Sequence, residues 1–236
     1  MIDLRNADAI QELKTLPNES VDLVVTDPPY RTISGGNKNE KWKSGWATSV
    51  LYRNDGKIFD NNNVNHLEWL QECYRVLKPN THIYIMTNVL NLFELQSIAE
   101  KVGFKLHNLL VWEKNTCNAN RWYMKNCEYT LFMRKGEAKT INNPSSKTVH
   151  QFNNPVGNKN HPTEKPIDLM KFYIENSSNE NDIVLDPFMG SGSTGVACKE
   201  LNRNFIGIEL DEKYFNTARE RIENTNTQII KKGSLI

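Results

Sequence analysis

The 236-residue sequence lacks paired cysteines, long apolar runs and an excess of charge of either sign. Its four cysteines, Cys73, Cys117, Cys127 and Cys198, are scattered, and the absence of a CxxC pair argues against a zinc site. No apolar run is long enough to span a membrane, and the N-terminus lacks the basic and then apolar pattern of a signal peptide. We therefore expect a cytoplasmic protein without a metal site or a membrane segment.

Two segments concentrate positive charge although the net charge of the chain is only +1. Residues 31–63 contain six basic and three acidic residues, and residues 114–127 contain three basic residues and no acid, so each segment has a net charge of +3. Both segments also contain aromatic residues, and this mixture is typical of nucleic-acid surfaces. A solvated loop with a few packed rings explains the same pattern, so both interpretations stay open.

Apolar and amphipathic segments alternate along the chain and predict its fold class. Strands are predicted over 1–6, 21–26, 81–87, 106–114, 128–135, 182–188 and 204–210. Helices are predicted over 8–16, 64–77, 91–102, 166–177, 193–202 and 212–223, the second being ended by Lys78-Pro79-Asn80. No clear helix separates the fourth and fifth strands, so this pair is predicted to be antiparallel.

These elements predict one α/β domain over residues 1–236. Its core would be a doubly wound, mostly parallel, seven-stranded sheet with the antiparallel pair at one edge. Segments 21–26 and 182–188 are almost continuously apolar at their centres, as strands buried on both faces are. Ligands of such sheets bind beyond the carboxyl ends of the strands, which directs attention to the residues that follow these two segments.

The second predicted strand runs directly into Asp27-Pro28-Pro29-Tyr30. Proline cannot donate to a sheet ladder and favours an extended conformation in the residue before it, so the strand must stop at Asp27. The result is a stiff corner that holds a carboxylate, a backbone carbonyl and an aromatic ring at one point. A corner of this kind suits the binding of a small planar group better than it suits packing alone.

A glycine-rich turn follows the sixth predicted strand and opens a helix. Residues 190–195 read GSGSTG, which matches GxGxxG, and Glu209 ends the next strand, where a carboxylate can bind both hydroxyls of a ribose. Asp186 stands beside this turn, and its charge would repel a pyrophosphate and attract a positive ligand. S-adenosylmethionine, which has an ammonium and a sulfonium but no phosphate, therefore suits the turn better than NAD. The alternative, an NAD oxidoreductase, also lacks a recognisable proton relay.

Three motifs carry a resemblance to a known family. Asp27-Pro28-Pro29-Tyr30 comes first, residues 161–166 read HPTEKP, and residues 186–192 read DPFMGSG. Together they resemble the amino-group DNA methyltransferases, and their order is similar to that of the circularly permuted beta group. The resemblance covers most of the chain, from Asp8 to Arg221. It implies a Rossmann-like, permuted, S-adenosylmethionine-dependent methyltransferase fold that acts on double-stranded DNA.

The resemblance also implies roles for individual residues. Asp8 and Ala9 would lie near the cofactor adenine, Glu209 would hold the ribose, and the glycine turn with its neighbours would line the methionine moiety. The cofactor-binding residues implied in this way are Asp8, Ala9, Thr163, Lys165, Asp186, Phe188, Gly190, Gly192, Ser193, Thr194 and Glu209. Related chains often have histidine before the glutamate where this chain has Asn126-Cys127-Glu128, which leaves the contribution of that strand open.

The proline corner gives the resemblance its chemistry. Asp27 and the carbonyl of Pro28 would accept hydrogen bonds from an exocyclic amino group and stabilise the positive charge that develops as a methyl group arrives. Tyr30 would stack on the base, which has to flip out of the duplex to reach the site. Asp27, where cytosine N4 enzymes more often have serine, favours adenine N6. Cytosine N4 and a non-catalytic DNA-binding relative stay as alternatives.

Two segments are candidates for reading the DNA sequence. The loop 31–63 is far longer than an ordinary connection, and segment 137–160 occupies the place where the family usually carries its target-recognition region. The expected setting is a bacterial or phage-encoded restriction-modification system. A homodimer and a companion restriction enzyme both stay open at this point.

Overall fold

In the computed structural model, which describes residues 1–29, 64–118, 123–154 and 164–226, eight strands form one mixed sheet. The strands are β1 Ile2–Asn6, β2 Val21–Thr26, β3 Leu77–Thr87, β4 Lys105–Asn118, β5 Lys125–Lys135, β6 Val149–Gln151, β7 Ile183–Asp186 and β8 Asn204–Glu209. The described helices are α1 Ala9–Thr15, α2 His66–Val76, α3 Leu92–Val102, α4 Ile167–Ser177, α5 Ser193–Glu200 and α6 Glu212–Asn224.

The strand order, β1-β8-β7-β2-β3-β5-β4-β6, places β7 and β2 next to each other near the centre of the sheet. From β2 the chain proceeds to β3 on one side, and from β7 it proceeds to β8 on the other. The two crossovers therefore diverge between β2 and β7, which are parallel neighbours. This divergence opens a crevice at the carboxyl ends of the two strands, where doubly wound folds bind their ligands.

The helices cover both faces of the sheet in two groups of three. Helices α1, α2 and α3 pack on one face around Leu13, Trp69 and Leu95, whereas α4, α5 and α6 pack on the other around Tyr173 and Ala197. Each helix turns an apolar stripe toward the sheet, and the central strand β2 is buried on both sides. The predicted doubly wound, mostly parallel architecture is confirmed, and each of the six predicted helices is present within the described residues.

Three details of the sheet differ from the prediction. The sheet has eight strands, not seven, because β6 pairs in parallel with β4 and replaces the antiparallel pair as the edge. This strand has only three residues and lies in a polar stretch, so its sequence carries no apolar alternation. Segment Lys78-Pro79-Asn80 does not separate a helix from a strand, since β3 begins at Leu77. Pro79 fits there because the pairing with β2 skips from Leu77 to His82 and therefore needs no amide hydrogen from it.

The described residues contain no helix long and apolar enough to cross a membrane. Within the same ranges no cluster of three or more histidine, cysteine or acidic side chains is arranged to hold a metal ion. The cysteines are unpaired, and Cys73 and Cys198 are buried in the core. Tyr30, Thr163 and the loop 31–63 lie outside the described residues.

Candidate active site

A cleft with about 410 Å³ of empty space lies at the divergence between β2 and β7. Asp27, which follows β2, and Asp186, which ends β7, both line it. Thr26 joins the two strand ends, because its hydroxyl donates a hydrogen bond of 2.8 Å to Asp186 Oδ1. The cleft has an apolar side made by Met86 and Met170 and a polar side made by the glycine turn. The two motifs that stand far apart in the sequence thus meet at one site.

The two carboxylate oxygens of Asp27 have different surroundings. Oδ2 accepts a hydrogen bond of 2.5 Å from Lys165 Nζ, which forms an ion pair with it. Oδ1 is buried and has no hydrogen-bond partner among the described residues. Burial raises the pKa of Asp27, and the charge of Lys165 opposes this rise. One oxygen is therefore held by Lys165, whereas the other belongs to a side chain that lines the cleft and has no partner among the described residues.

Lys165 is shared with a second carboxylate. Its Nζ lies 3.3 Å from Glu128 Oε2 on β5, and Glu128 Oε1 in turn pairs with Lys114 on β4. Burial alone would raise the pKa of Glu128, but the two lysines together outweigh it and hold this pKa below its usual value. The order Asp27–Lys165–Glu128–Lys114 is a row of alternating charges that leads from the cleft to the β4–β5 pair.

Asp186 is held differently, by neutral donors alone. Thr194 Oγ1 donates to its Oδ2 at 2.7 Å, and the Phe188 amide donates to its Oδ1 at 3.1 Å, in addition to the bond from Thr26. It forms no ion pair with any side chain in the described ranges. Burial, reinforced by the charge of Asp27, raises the pKa of Asp186 to about 7 despite these hydrogen bonds. A buried carboxylate without a counter-charge favours a positively charged ligand in the cleft.

The glycines of the turn have two separate roles. Gly190 lines the cleft at φ +52°, and a Cβ placed there would meet nothing within 4 Å. Gly192, at φ +83°, lies so close to α6 that a Cβ would stand 2.9 Å from that of Ala218. At Gly195 a Cβ would stand 2.4 Å from Ile222 Cδ1. The first glycine therefore leaves room for a ligand, and the other two allow α5 to pack closely against α6 and the sheet.

Polar contacts from α6 also hold the glycine turn in place. Arg221 on α6 donates to the Ser191 carbonyl at 2.6 Å and to Ser191 Oγ at 2.9 Å. The same guanidinium pairs with Glu164, just before α4, at 2.6 Å. Ser193 Oγ, at the first position of α5, lines the cleft and is buried without a hydrogen-bond partner among the described residues. The turn thus combines a braced backbone with a hydroxyl that a ligand could satisfy.

The other predicted cofactor residues lie at neighbouring strand ends. The Glu209 carboxylate, at the end of β8, accepts a hydrogen bond of 3.0 Å from the Gly190 amide. Asp8 follows the adjacent strand β1 and caps α1 by accepting from Gln11 N, and the buried Ala9 opens that helix. Glu209, Asp8 and Ala9 thus lie along the same edge of the sheet, beside the cleft rather than on its walls.

Phe188 fixes the start of the turn, since its ring packs edge-on against the fully buried Trp69 of α2 at 5.4 Å. Pro28 is buried beside Asp27, and Pro29 is partly buried. Of the predicted residues, the structure brings Asp27, Lys165 and Asp186 together with the glycine turn. Tyr30 and Thr163 fall outside the described residues.

Sequence reasoning missed part of the site. The roles of Glu128 and Lys114 depend on strand register, because β4 and β5 bring the two side chains together across the sheet from positions 14 residues apart. Arg221 and Glu164 meet across 57 residues. The available signal was the Asn126-Cys127-Glu128 segment, where the family resemblance already marked a glutamate.

The fold and the site together define the class of protein. It is an enzyme with a doubly wound sheet, in which two carboxylates at strand ends lie opposite a glycine turn of the nucleotide-binding type. A family profile described as DNA methylase, of the N6/N4 type, matches residues 21–220. The match covers most of the chain, and the chain therefore belongs to this family. It is accordingly a DNA methyltransferase that uses S-adenosylmethionine as its methyl donor.

Individual relatives agree with this membership. The chain is 31% identical over 245 residues to the type II methyltransferase M2.LlaDCHI of Lactococcus lactis subsp. cremoris, covering 95% of this chain and 90% of the relative. It is 32% identical over 250 residues to M.HinfI of Haemophilus influenzae, covering 91% and 66%.

Solved structures have the same fold. M1.HpyAVI in complex with SAM is 32% identical, with a TM-score of 0.69 over 94% of this chain and 100% of that one. The cytosine-N4-specific PvuII DNA methyltransferase has a TM-score of 0.71 over 96% and 88% of the two chains. At 17% identity this last likeness concerns the fold alone.

Proposed function

We propose that the chain transfers a methyl group to the N6 amino group of adenine at a specific sequence in double-stranded DNA. The observation that carries this proposal is the asymmetry of Asp27, whose Oδ2 is tied to Lys165 while its buried Oδ1 lacks a partner among the described residues. An exocyclic amino group has the donor that this oxygen lacks. Asp27, in place of serine, favours adenine over cytosine on the family resemblance.

Three observations support the fit of the methyl donor to the cleft. Asp186 has no counter-charge among the described residues, Ser193 Oγ is a buried hydroxyl without a described partner, and Gly190 leaves open space in the same cleft. In this arrangement Asp186 and Ser193 would face the amino-acid end of the cofactor, and Glu209 would bind the ribose. Asp8 and Ala9, the next strand end along the edge, would lie near the adenine. When bound there, S-adenosylmethionine supplies a methyl group on a positively charged sulfur.

The chain's own residues then act on the target base. Asp27 Oδ1 and the Pro28 carbonyl accept hydrogen bonds from the amino group, which is otherwise a poor nucleophile because its lone pair is delocalised into the ring. Fixed acceptors localise that lone pair on nitrogen and stabilise the positive charge that develops there as its bond to the methyl carbon forms. The nitrogen then has one proton too many, and Asp27 Oδ1 is positioned to accept it. Tyr30 would stack on the flipped base.

The β4–β5 hairpin supports a DNA-binding surface on the same edge of the sheet. Strand β4 is parallel to β2, so both end on the edge of the sheet where the cleft lies, and β5 extends about 10 Å beyond Glu128 to Lys125. Next to Lys125, Tyr123 is 92% exposed and Met124 is 61% exposed. Exposed aromatic and basic side chains at this end suit contact with nucleic acid. We propose this hairpin as a DNA contact beside the loop 31–63.

Segment 137–160 divides into two parts with respect to this surface. Asn142 is bound to the C-terminal end of α4 through its backbone amide and side chain, on the side of the sheet away from the cleft. The chain then returns along β6, and Asn154 reaches the hairpin through Asn115 and Thr116. Of the described part of this candidate recognition segment, we therefore propose residues 151–154 as the portion nearest to DNA.

A direct test is to express the chain in a bacterial host without methylases of its own and to sequence the host DNA by a method that reads base modification. N6-methyladenine in one short sequence context is the expected result, and Asp27→Asn, which keeps the shape but removes the charge, should abolish it. N4-methylcytosine would contradict the base assignment while leaving the site intact. Absence of modification together with retained binding of S-adenosylmethionine would favour a non-catalytic relative.

The biological setting proposed from the sequence follows from this activity. A DNA-modifying enzyme of this family would act in the bacterial cytoplasm, on the chromosome or on phage DNA, and a companion restriction enzyme would cut the same sequence when it is unmethylated. Digestion of DNA from the expressing host with a panel of restriction enzymes tests which sequence is protected. Size-exclusion chromatography with light scattering tests the proposed homodimer.

A further inference from the structure

We propose that Glu128 and Lys114 are positioning residues of the methyltransferase reaction, acting on Asp27 through Lys165. The proposal rests on the proposed function, in which Asp27 accepts the hydrogen bond of the target amino group. It assigns a role to the β4–β5 pair that the glycine turn and the proline corner do not provide.

Lys165 alone would not fix the orientation of Asp27. A lysine ammonium lies on a flexible stem and donates in three directions, so a single ion pair leaves both partners able to rotate. Here the Lys165 side chain is only 7% exposed, and its Nζ is held from two sides, 2.5 Å from Asp27 Oδ2 and 3.3 Å from Glu128 Oε2. Glu128 is fixed in turn by Lys114 and by its place in the middle of β5. The row of charges therefore ends in a carboxylate whose second oxygen has one defined direction.

The row also sets how strongly Asp27 accepts a hydrogen bond. Lysines and carboxylates alternate along the row, so Glu128 offsets part of the positive charge that Lys165 and Lys114 direct at Asp27. Among the described residues, Lys165, Glu128 and Lys114 act on the charge of Asp27. Asp186 lies at the adjacent strand end, where the charge of Asp27 contributes to its raised pKa. The charges of Glu128 and Lys165 also act on the pKa of Tyr173 on α4. Glu164, which lines the cleft, is paired with Arg221.

Substitutions at different places in the row should move the activity–pH profile in opposite directions. Glu128→Gln removes a negative charge that raises the pKa of Asp27, so the acid limb of kcat should move to lower pH. Lys114→Met and Lys165→Met remove positive charges that lower this pKa, so the acid limb should move to higher pH, further for Lys165. A merely structural role would lower activity without these opposed shifts.

The experiment measures single-turnover methyl transfer to an unmethylated duplex that contains the target sequence. The rate is followed from pH 5 to pH 9, with S-adenosylmethionine and DNA saturating. We expect Glu128→Gln to lower the maximal rate on the order of tenfold or more, since small losses of geometry at the reacting atom are costly, with little change in cofactor affinity. Glu100→Gln is the matched control. Glu100 is an exposed glutamate on α3 whose carboxylate accepts a hydrogen bond from Gln96 on the same helix, so removing its charge should leave the activity–pH profile as it is in the native chain.

Failure of this proposal is distinct from failure of the proposed function. If the native chain does not methylate DNA, the function itself is wrong. If the native chain is active and Asp27→Asn is inactive, but Glu128→Gln and Lys114→Met keep the native rate and acid limb, then the positioning role is wrong and the function stands. Should Glu128→Gln not fold, Lys114→Met decides by itself, because it keeps every carboxylate of the row and lies at its outer end.

Discussion

The glycine turn offers a sharp test, because two of its glycines have different roles within one motif. Gly190 faces open space in the cleft, whereas Gly195 lies against Ile222 and Phe205. An added methyl group should therefore disturb ligand binding at the first position and packing at the second. The pair Gly190→Ala and Gly195→Ala makes the same chemical change twice, so each variant is the control for the other.

The expected magnitudes follow from the local geometry. At Gly195 the new methyl would lie 2.4 Å from Ile222 Cδ1, which can rotate, and 2.7 Å from Phe205 Cε1, which is packed in the core. Overpacking of this kind costs about 1–3 kcal/mol, offset by up to about 1 kcal/mol because alanine favours a helix interior. The net loss of about 1–2 kcal/mol lowers the melting temperature by about 2–8 °C in a chain of this size.

At Gly190 the methyl group meets no atom, and the cost of φ +52° is about 1 kcal/mol. The same methyl projects into the proposed cofactor site, so the Kd for S-adenosylmethionine should rise about tenfold or more. Thermal melting and titration calorimetry measure the two effects separately. If Gly195→Ala weakened the cofactor more than Gly190→Ala did, or if Gly190→Ala bound it as tightly as the native chain, the assignment of the two roles would be refuted.

Three further predictions concern other parts of the site. Asp186 keeps a proton in the folded state up to a pKa of about 7, well above its unfolded value, so the stability it provides is lost as pH rises from 4 through 7. In urea unfolding, the difference in free energy of unfolding between the native chain and Asp186→Asn should therefore decrease over this pH range by on the order of a few kcal/mol. A difference that stays constant with pH would contradict this prediction. Arg221→Met removes the hydrogen bonds to Ser191 and should weaken cofactor binding about tenfold in calorimetry, in addition to a stability loss of about 1–3 kcal/mol. Unchanged cofactor affinity would show that the turn keeps its conformation without Arg221. Met124→Ala combined with Tyr123→Ala should raise the Kd for DNA about tenfold in fluorescence anisotropy without changing cofactor affinity, because stacking is worth about 1–3 kcal/mol per base. The control is Ile2→Ala, which changes an exposed residue at the opposite edge of the sheet. Equal DNA binding by the double variant and the control would exclude the hairpin as a DNA contact.

The location of the cleft was predictable because its signals are local. Prolines after Asp27 end one strand, and the glycines after Asp186 end another and begin a helix. Apolar runs buried on both faces place these strands at the centre of a parallel sheet. Once both strand ends lie on one edge, the meeting of Asp27 with Asp186 follows from topology, without knowledge of any side-chain contact.

The partners of Lys165 were not predictable in the same way. The HPTEKP motif indicated a residue near the methionine moiety, whereas in the structure Lys165 contacts Asp27 and Glu128. That contact depends on the register between β4 and β5 and on the path of the chain before α4, and neither leaves a periodic signal in the sequence. Strand β6 was missed for a related reason, since its three residues pair through backbone atoms at an edge and need no apolar side chains.

The two aspartates show how one cleft can serve two ligands of different charge. They lie at adjacent strand ends, and the charge of Asp27 contributes to the raised pKa of Asp186. Of the two aspartates, only Asp27 forms an ion pair with a side chain in the described part of the chain. In the proposed function, Asp27 would therefore act as an acceptor with one oxygen for an uncharged amino group. Asp186 is held by hydroxyls and an amide of the described residues, and a cationic ligand would supply its counter-charge. Entry of that ligand would favour the ionised form of Asp186, because the added positive charge offsets the effects of burial and of the repulsion from Asp27, which together raise its pKa. On this proposal, the same carboxylate that would reject a pyrophosphate would select a cofactor that is itself positively charged.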